Sequence, residues 1–111
     1  MSSVVRQENR TSPRLRTHLP VRVRQFNSSH FQETLTKDLG LGGLRYISAT
    51  PVPVLSECTL ELMLASGKEP IHLRGRAVWF QTIPHSDQFE VGVAFFEIPE
   101  ETKRRLSTYL E

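Results

Sequence analysis

Hydrophobic and polar side chains alternate along most of this chain with a period of two residues. This period is typical of β-strands that bury one face and expose the other. Six segments follow the pattern, at residues 19–26, 31–38, 44–48, 58–64, 71–79 and 89–95. In the fifth segment the alternating residues predicted to face inward end at Trp79, which we therefore expect to be an anchor in the interior of the fold. The alternation predicts six strands that share one core.

Turn-forming residues separate these segments, and a helical pattern follows the last one. Turns are predicted at residues 27–29, 40–43, 65–68 and 84–87, where Gly, Pro, Asn, Ser and Asp concentrate. Pro99 is placed to open a helix, with Leu106 and Tyr109 on its apolar stripe. We therefore predict a mainly β fold, a six-stranded antiparallel barrel with a short C-terminal α-helix. Residues 19–111 form this domain, and residues 1–18 form a flexible segment before it.

Composition narrows the class of protein. With 111 residues, 38% hydrophobic and 23% charged, the chain fits one folded domain. It contains no apolar run of the roughly 20 residues that cross a bilayer, and its N-terminus lacks the apolar core of a secretory signal. Cys58 is the single cysteine, and no Cys/His spacing fits a metal site. We expect a cytoplasmic protein without metal, cofactor or membrane insertion.

The basic residues are concentrated at the N-terminus. The net charge is only +2, yet all the basic residues before position 25, apart from His18, are arginines: Arg6, Arg10, Arg14, Arg16, Arg22 and Arg24. A guanidinium group pairs with phosphate, or with the O6/N7 edge of guanine, through two parallel hydrogen bonds. The segment therefore suits an anionic ligand, although an exposed basic tail without a partner shows the same composition.

Half of the six glycines lie within residues 40–43, a stretch that begins two residues after Asp38. Glycine weakens a strand, and is kept where φ is positive or where another group approaches the backbone closely. A carboxylate beside such a turn can accept hydrogen bonds from the N–H groups of a ligand. The cluster indicates either a tight hairpin or a ligand site.

Two motifs together resemble the PilZ domain family. Arg10 and Arg14 form R-x-x-x-R, and about two dozen residues later Asp38 opens a segment similar to (D/N)-x-S-x-x-G that ends at Gly43. The resemblance extends to the C-terminal helix and implies a six-stranded antiparallel barrel. It also implies a non-catalytic receptor for the bacterial second messenger cyclic di-GMP, which relays the signal to an effector protein not identified by the sequence.

The resemblance also implies roles for individual residues. Arg10 and Arg14 would hold the phosphates and the Hoogsteen edges of the guanines. Asp38 would accept hydrogen bonds from the Watson–Crick N–H groups of a guanine, and Gly43 would allow the base to approach the backbone. Arg45, which follows the glycines, is a further candidate contact.

Gly40 departs from the family pattern, because the motif has a serine there. The lost hydroxyl removes a hydrogen bond of about 0.5–1.5 kcal/mol. Since about 1.4 kcal/mol corresponds to tenfold in affinity, this predicts binding that is roughly two- to tenfold weaker. Arg10, Arg14 and Asp38 remain, so the departure predicts weaker binding and not its loss.

Three alternatives remain. One is a degenerate PilZ domain that acts as a nucleotide-independent protein-interaction module in a motility or secretion assembly. Another is a basic barrel that binds nucleic acid; it is disfavoured because few aromatic residues are predicted outside, and the best candidates, Tyr46 and Phe26, are expected to pack in the barrel. The third, an enzyme, is disfavoured because the four histidines are scattered, with no nucleophile or carboxylate at a telling spacing.

Overall fold

The computed structural model describes residues 14–111, and this part of the chain forms seven strands and one helix. The strands are β1 (Arg14–Arg16), β2 (Pro20–Gln25), β3 (Gln32–Gly40), β4 (Gly43–Ser48), β5 (Glu57–Leu62), β6 (Ile71–Thr82) and β7 (Phe89–Phe95), and the helix is α1 (Glu100–Leu110).

Strands β2 to β7 close into an antiparallel barrel. Their order is β3-β2-β5-β6-β7-β4, and β4 pairs again with β3. Most of their apolar residues face inward. Because β4 pairs with β3, closure leaves no unpaired edge among these six strands. The predicted mainly β fold, with a six-stranded barrel and a C-terminal helix, is confirmed.

The short strand β1 is an addition to the predicted set. It runs antiparallel to β3, with Arg14 opposite Gly40 and Arg16 opposite Asp38. The sequence interpretation placed these residues in the flexible N-terminal segment, because three residues are too few to show a period. Their backbone groups pair with the part of β3 that lies beyond its contact with β2.

Thr36 joins β1 to β2 from inside the barrel wall. Its side chain is fully buried, its hydroxyl donates to the Thr17 carbonyl, and it accepts the Leu19 N–H at 2.9 Å. A buried hydroxyl with both functions satisfied stabilises the segment that carries Arg14.

The barrel interior holds the inward-facing apolar side chains of all six barrel strands. Tyr46 is 0% exposed, as expected, and burial raises the pKa of its hydroxyl. Cys58 is also buried, and burial together with the nearby Glu57 carboxylate raises the pKa of its thiol to about 11. The corresponding expectation for Phe26 is wrong: its ring is 79% exposed, because it follows the last residue of β2 and lies in the turn before β3.

A β-bulge in β6 changes the face on which Trp79 lies. Ala77 pairs with Val93, but Trp79 pairs with Gly92, so Val78 is an extra residue. An extra residue reverses the inward and outward alternation after it. Trp79 therefore lies on the outer surface, 37% exposed, and the expectation of an interior anchor is wrong.

Helix α1 covers part of the core. Its N-cap is Pro99 and its Leu106 side chain is 0% exposed within the core cluster. The hydroxyl of Tyr109 lies 3.3 Å from that of Thr17, which links the helix to the segment after β1. In the part of the chain that the structure describes, no helix has the length and apolar character needed to span a membrane.

Candidate functional site

Strand register brings four residues from four strands into one row on the outer face of the barrel. Asp38 of β3 lies opposite Arg45 of β4, Arg45 lies opposite Gly92 of β7, and Gly92 lies opposite Trp79 of β6. Arg16 of β1 continues the row beyond Asp38. Neighbouring strands are about 4.8 Å apart, so side chains along such a row contact one another.

Asp38 is a nearly buried carboxylate with an arginine on each oxygen. Its side chain is 7% exposed. Arg14 Nη2 lies 3.1 Å from Oδ1, and Arg45 Nε lies 2.6 Å from Oδ2. Burial of a charge is favourable only when it is paired and hydrogen-bonded, and here both conditions are met. Arg14 is 48% exposed and Arg45 is 30% exposed, so Arg14 is the more solvated of the two partners.

Glu90 is a second nearly buried carboxylate beside the first. Arg45 Nη1 lies 3.3 Å from its Oε2, and Lys37 Nζ lies 3.2 Å from the same oxygen. The Gln81 amide donates to Oε1 at 3.2 Å. Arg45 therefore bridges the carboxylates of Asp38 and Glu90, which restricts its side chain. Glu90 and Lys37 did not emerge from the sequence, because both fit an ordinary outward-facing polar position.

The glycines beside Asp38 have no side chains that would cover the surface there. A Cβ on Gly43 would lie 2.1 Å from the Val93 carbonyl oxygen, whereas a Cβ on Gly42 would meet nothing within 4 Å. Neither residue has a positive φ. The turn between β3 and β4 is confirmed, but close strand packing, and not left-handed backbone, requires glycine at position 43.

An open cavity of about 450 Å³ lies over this surface. The lining residues belong to β1, the β3–β4 hairpin and the β6–β7 pair: Arg14, Asp38, Gly42, Gly43, Leu44, Arg45, Val78, Trp79, Gly92, Val93 and Ala94. One wall carries guanidinium groups and a carboxylate, and the other carries an indole ring. This arrangement offers charge-assisted donors, a hydrogen-bond acceptor and a flat apolar surface to the same ligand.

The structure brings together four of the six residues singled out from the sequence. Arg14, Asp38, Gly43 and Arg45 all line the cavity. Gly40 is buried at the end of β3 and pairs with the backbone of Arg14, outside the lining. Arg10 lies outside the described residues.

These features define a small closed β-barrel with a charged, glycine-floored cavity on one side. A sequence model of the PilZ domain matches residues 8–111, and the chain therefore belongs to the PilZ family, as the motifs indicated. A search of curated proteins found no match.

Three of the solved structures that match this chain illustrate the shared fold. The Bacillus subtilis inhibitor of motility MotI/DgrA has a TM-score of 0.75 and 16% identity, over 91% of this chain and 49% of that chain. The K. pneumonia MrkH–cyclic di-GMP complex has a TM-score of 0.73 and 19% identity, over 91% of this chain and 50% of that chain. The PilZ domain of YcgR from Escherichia coli with cyclic di-GMP has a TM-score of 0.72 and 14% identity, over 91% of this chain and 88% of that chain. The chain spans about half the length of MotI/DgrA and of MrkH.

Proposed function

We propose that this chain is a cytoplasmic receptor that binds cyclic di-GMP, performs no chemistry on it and relays it to an effector protein. One observation carries the proposal: the Asp38 carboxylate, held between Arg14 and Arg45, lines an open cavity floored by glycines. Membership of the PilZ family supports the choice of ligand. So do the MrkH and YcgR structures, which have the same fold and contain cyclic di-GMP.

The chemistry of the ligand matches the groups in the cavity. Guanine presents adjacent N–H donors on its Watson–Crick edge, which a carboxylate accepts, and O6 and N7 acceptors on its Hoogsteen edge, which an arginine fork donates to. Asp38 takes the first role. Arg14 donates to the Hoogsteen edge of a guanine or pairs with a phosphate. Arg10, which precedes β1 in the sequence, takes the same role. Gly43 leaves space for the base beside the backbone.

Binding requires Asp38 to exchange one partner. In the structure both of its oxygens accept from arginines, at 3.1 Å and 2.6 Å. Arg14 is the half-exposed partner, so it can rotate from the carboxylate toward the ligand at a low cost in solvation. Arg45 remains between Asp38 and Glu90 and keeps the carboxylate in position. Cyclic di-GMP thus replaces one intramolecular charge pair with several charge-assisted contacts.

Isothermal titration calorimetry on the whole chain tests the proposal, with GTP as the control ligand. We expect specific binding of cyclic di-GMP that is lost in Arg14→Ala. Residue 40 lies two positions after Asp38 on the same face of β3, so a side chain there would extend beside that carboxylate. Binding is therefore expected to become roughly two- to tenfold tighter in Gly40→Ser, by the restored hydroxyl. Arg22→Ala is the matched control, because Arg22 pairs with Glu61 and Glu33 away from the cavity and its loss leaves binding unchanged.

The alternative function is a nucleotide-independent protein-interaction module, and the glycine at position 40 favours it. The same titration separates the two. No heat with cyclic di-GMP at high micromolar concentration, in both the natural chain and Gly40→Ser, would overturn the receptor proposal and leave the alternative.

A further inference from the structure

A second row of residues crosses the barrel on its outer face, away from the cavity. Arg24 of β2 lies opposite Thr59 of β5, and Thr59 lies opposite Arg74 of β6. Two arginines therefore flank one threonine on adjacent strands. None of the three lines the cavity beside Asp38.

The rows on either side of this one have a carboxylate in the central position. In one, Glu61 lies between Arg22 and His72 and accepts from Arg22 Nη1 at 3.0 Å. In the other, Glu57 accepts from Arg76 Nη2 at 2.8 Å. Strand β5 thus places a negative charge among basic residues in both flanking rows, but a neutral hydroxyl in the middle row.

Arg24 has no carboxylate partner among residues 14–111, unlike the other three arginines of this face, Arg22, Arg74 and Arg76. Its guanidinium donates to the Ser28 carbonyl at 3.2 Å and lies 5.7 Å from the centre of the Phe31 ring. A carbonyl and a ring face leave most of its five N–H donors and its charge without an anionic partner.

Thr59 also has an unused group. Its hydroxyl oxygen is shielded from solvent and makes no hydrogen bond within the described part of the chain. A shielded hydroxyl without a partner is unfavourable, and a bound ion, water or ligand can supply the missing partner. Arg74 beside it is 54% exposed and pairs with Glu57 and Glu97, so an anion bound at Thr59 would share or replace these two exposed carboxylate contacts.

We propose that Arg24, Thr59 and Arg74 form a binding site for a single phosphate group, supplied by inorganic phosphate or a small phosphate monoester. Arginine forks match the geometry of phosphate oxygens, and a hydroxyl supplies a further donor. Two openings of about 240 and 390 Å³ share these three residues in their lining, so the site is accessible from both sides of the row.

The neighbouring acids set the size of the ligand. Glu57 lines the smaller opening, and Glu61 and Glu97 line the larger one. An extended polyanion such as a polyphosphate or a nucleic acid strand would place its further charges against these carboxylates. One compact phosphate, by contrast, takes the position that Glu57 and Glu61 occupy in the flanking rows.

The test is a titration of the ¹⁵N-labelled whole chain with inorganic phosphate at constant ionic strength, followed by NMR. We expect the chemical shifts of the Thr59 amide and of the Arg24 and Arg74 side-chain Nε–H groups to change and to saturate at millimolar phosphate. The amide chemical shifts of Asp38 and Gly43 are expected to stay unchanged. Thr59→Glu supplies the missing carboxylate and is expected to abolish the saturable shifts. Thr59→Val, which keeps the shape and removes the hydroxyl, is expected to weaken binding several-fold.

Two further arms complete the test. Arg24→Gln removes one fork without adding a charge, and it is also expected to abolish binding, so the result does not depend on the folding of Thr59→Glu. Saturable shifts that persist in both variants would overturn the proposal, and acetate binding as tightly as phosphate would contradict the assignment to phosphate. Calorimetry with cyclic di-GMP is expected to be the same in Thr59→Glu as in the natural chain, so the two proposals fail or stand separately.

Discussion

The indole ring of Trp79 lies directly over Gly92, so close that a Cβ on residue 92 would stand 2.4 Å from ring atoms Cε2 and Nε1. Gly92 in turn lies opposite Arg45. The absence of a side chain on Gly92 therefore allows the only tryptophan of the chain to form one wall of the cavity.

Gly92→Ala is expected to push the Trp79 ring away from the sheet. The added methyl overlaps the ring, and overpacking of this kind costs roughly 1–3 kcal/mol in the free energy of unfolding. Since Trp79 is the single tryptophan, its emission is expected to shift to longer wavelength as the ring gains solvent. Gly42→Ala is the control, because its methyl meets no atom within 4 Å and should leave both stability and emission unchanged. Equal effects of the two substitutions would contradict this account.

Glu90→Gln is expected to destabilise the charged network around Arg45. The substitution keeps the side-chain shape but removes the charge that pairs with Arg45 and Lys37 in a site where Glu90 is only 7% exposed. Arg45 keeps its contact with Asp38 and Lys37 is partly exposed, so the expected cost is roughly 1–3 kcal/mol, measurable as a lower urea midpoint. The matched control is Glu97→Gln, in a surface pair with Arg74 where Glu97 is 69% exposed; its cost is expected to stay below about 1 kcal/mol.

Thr36→Val is expected to loosen the segment that carries Arg14. Valine has the same shape but leaves the Leu19 N–H, which Thr36 now accepts, without that partner inside the barrel wall. An unsatisfied buried donor costs roughly 1–3 kcal/mol. Hydrogen exchange of the β1 and Leu19 amides should therefore accelerate. Thr36→Ser retains the hydroxyl and is expected to preserve their protection; rapid exchange in both variants would show that the hydroxyl is not the cause.

Stability is expected to fall as the pH rises from about 9 toward 11, in part through Cys58. The folded state raises the pKa of this thiol from 9.0 to about 11. Between these values the unfolded chain has lost the proton while the folded chain retains it, so the free energy of unfolding decreases with increasing pH. Urea unfolding at several pH values measures this decrease, which is expected to be smaller in Cys58→Val. A decrease of the same size in that variant would exclude the thiol as a source.

The sequence predicted the features of this protein that depend on local order. Six segments with a period of two became the six strands of the barrel, and the apolar stripe after Pro99 became α1. The spacing from Arg14 to Asp38 to Gly43 placed three cavity residues in advance, because each belongs to a short motif that can be recognised without knowing its neighbours.

Other features arise only when distant segments meet. One extra residue in β6, Val78, turned Trp79 from the interior to the cavity, and nothing in the alternation of residues 71–79 marks it. Glu90 became a partner of Arg45 because β7 pairs with β4 in one particular register, and β1 exists because β3 extends beyond β2.

The physical reason is that side-chain period and turn chemistry are properties of a few consecutive residues, so the sequence alone determined the strands, the helix, the glycine turn and the family. Strand register, bulges and ion pairs depend instead on the free energy of the whole closed barrel. In that barrel, residues from separate strands, such as Asp38, Arg45 and Glu90, come into contact. Tertiary structure alone therefore decided which charges meet around Asp38 and where the aromatic wall of the cavity lies.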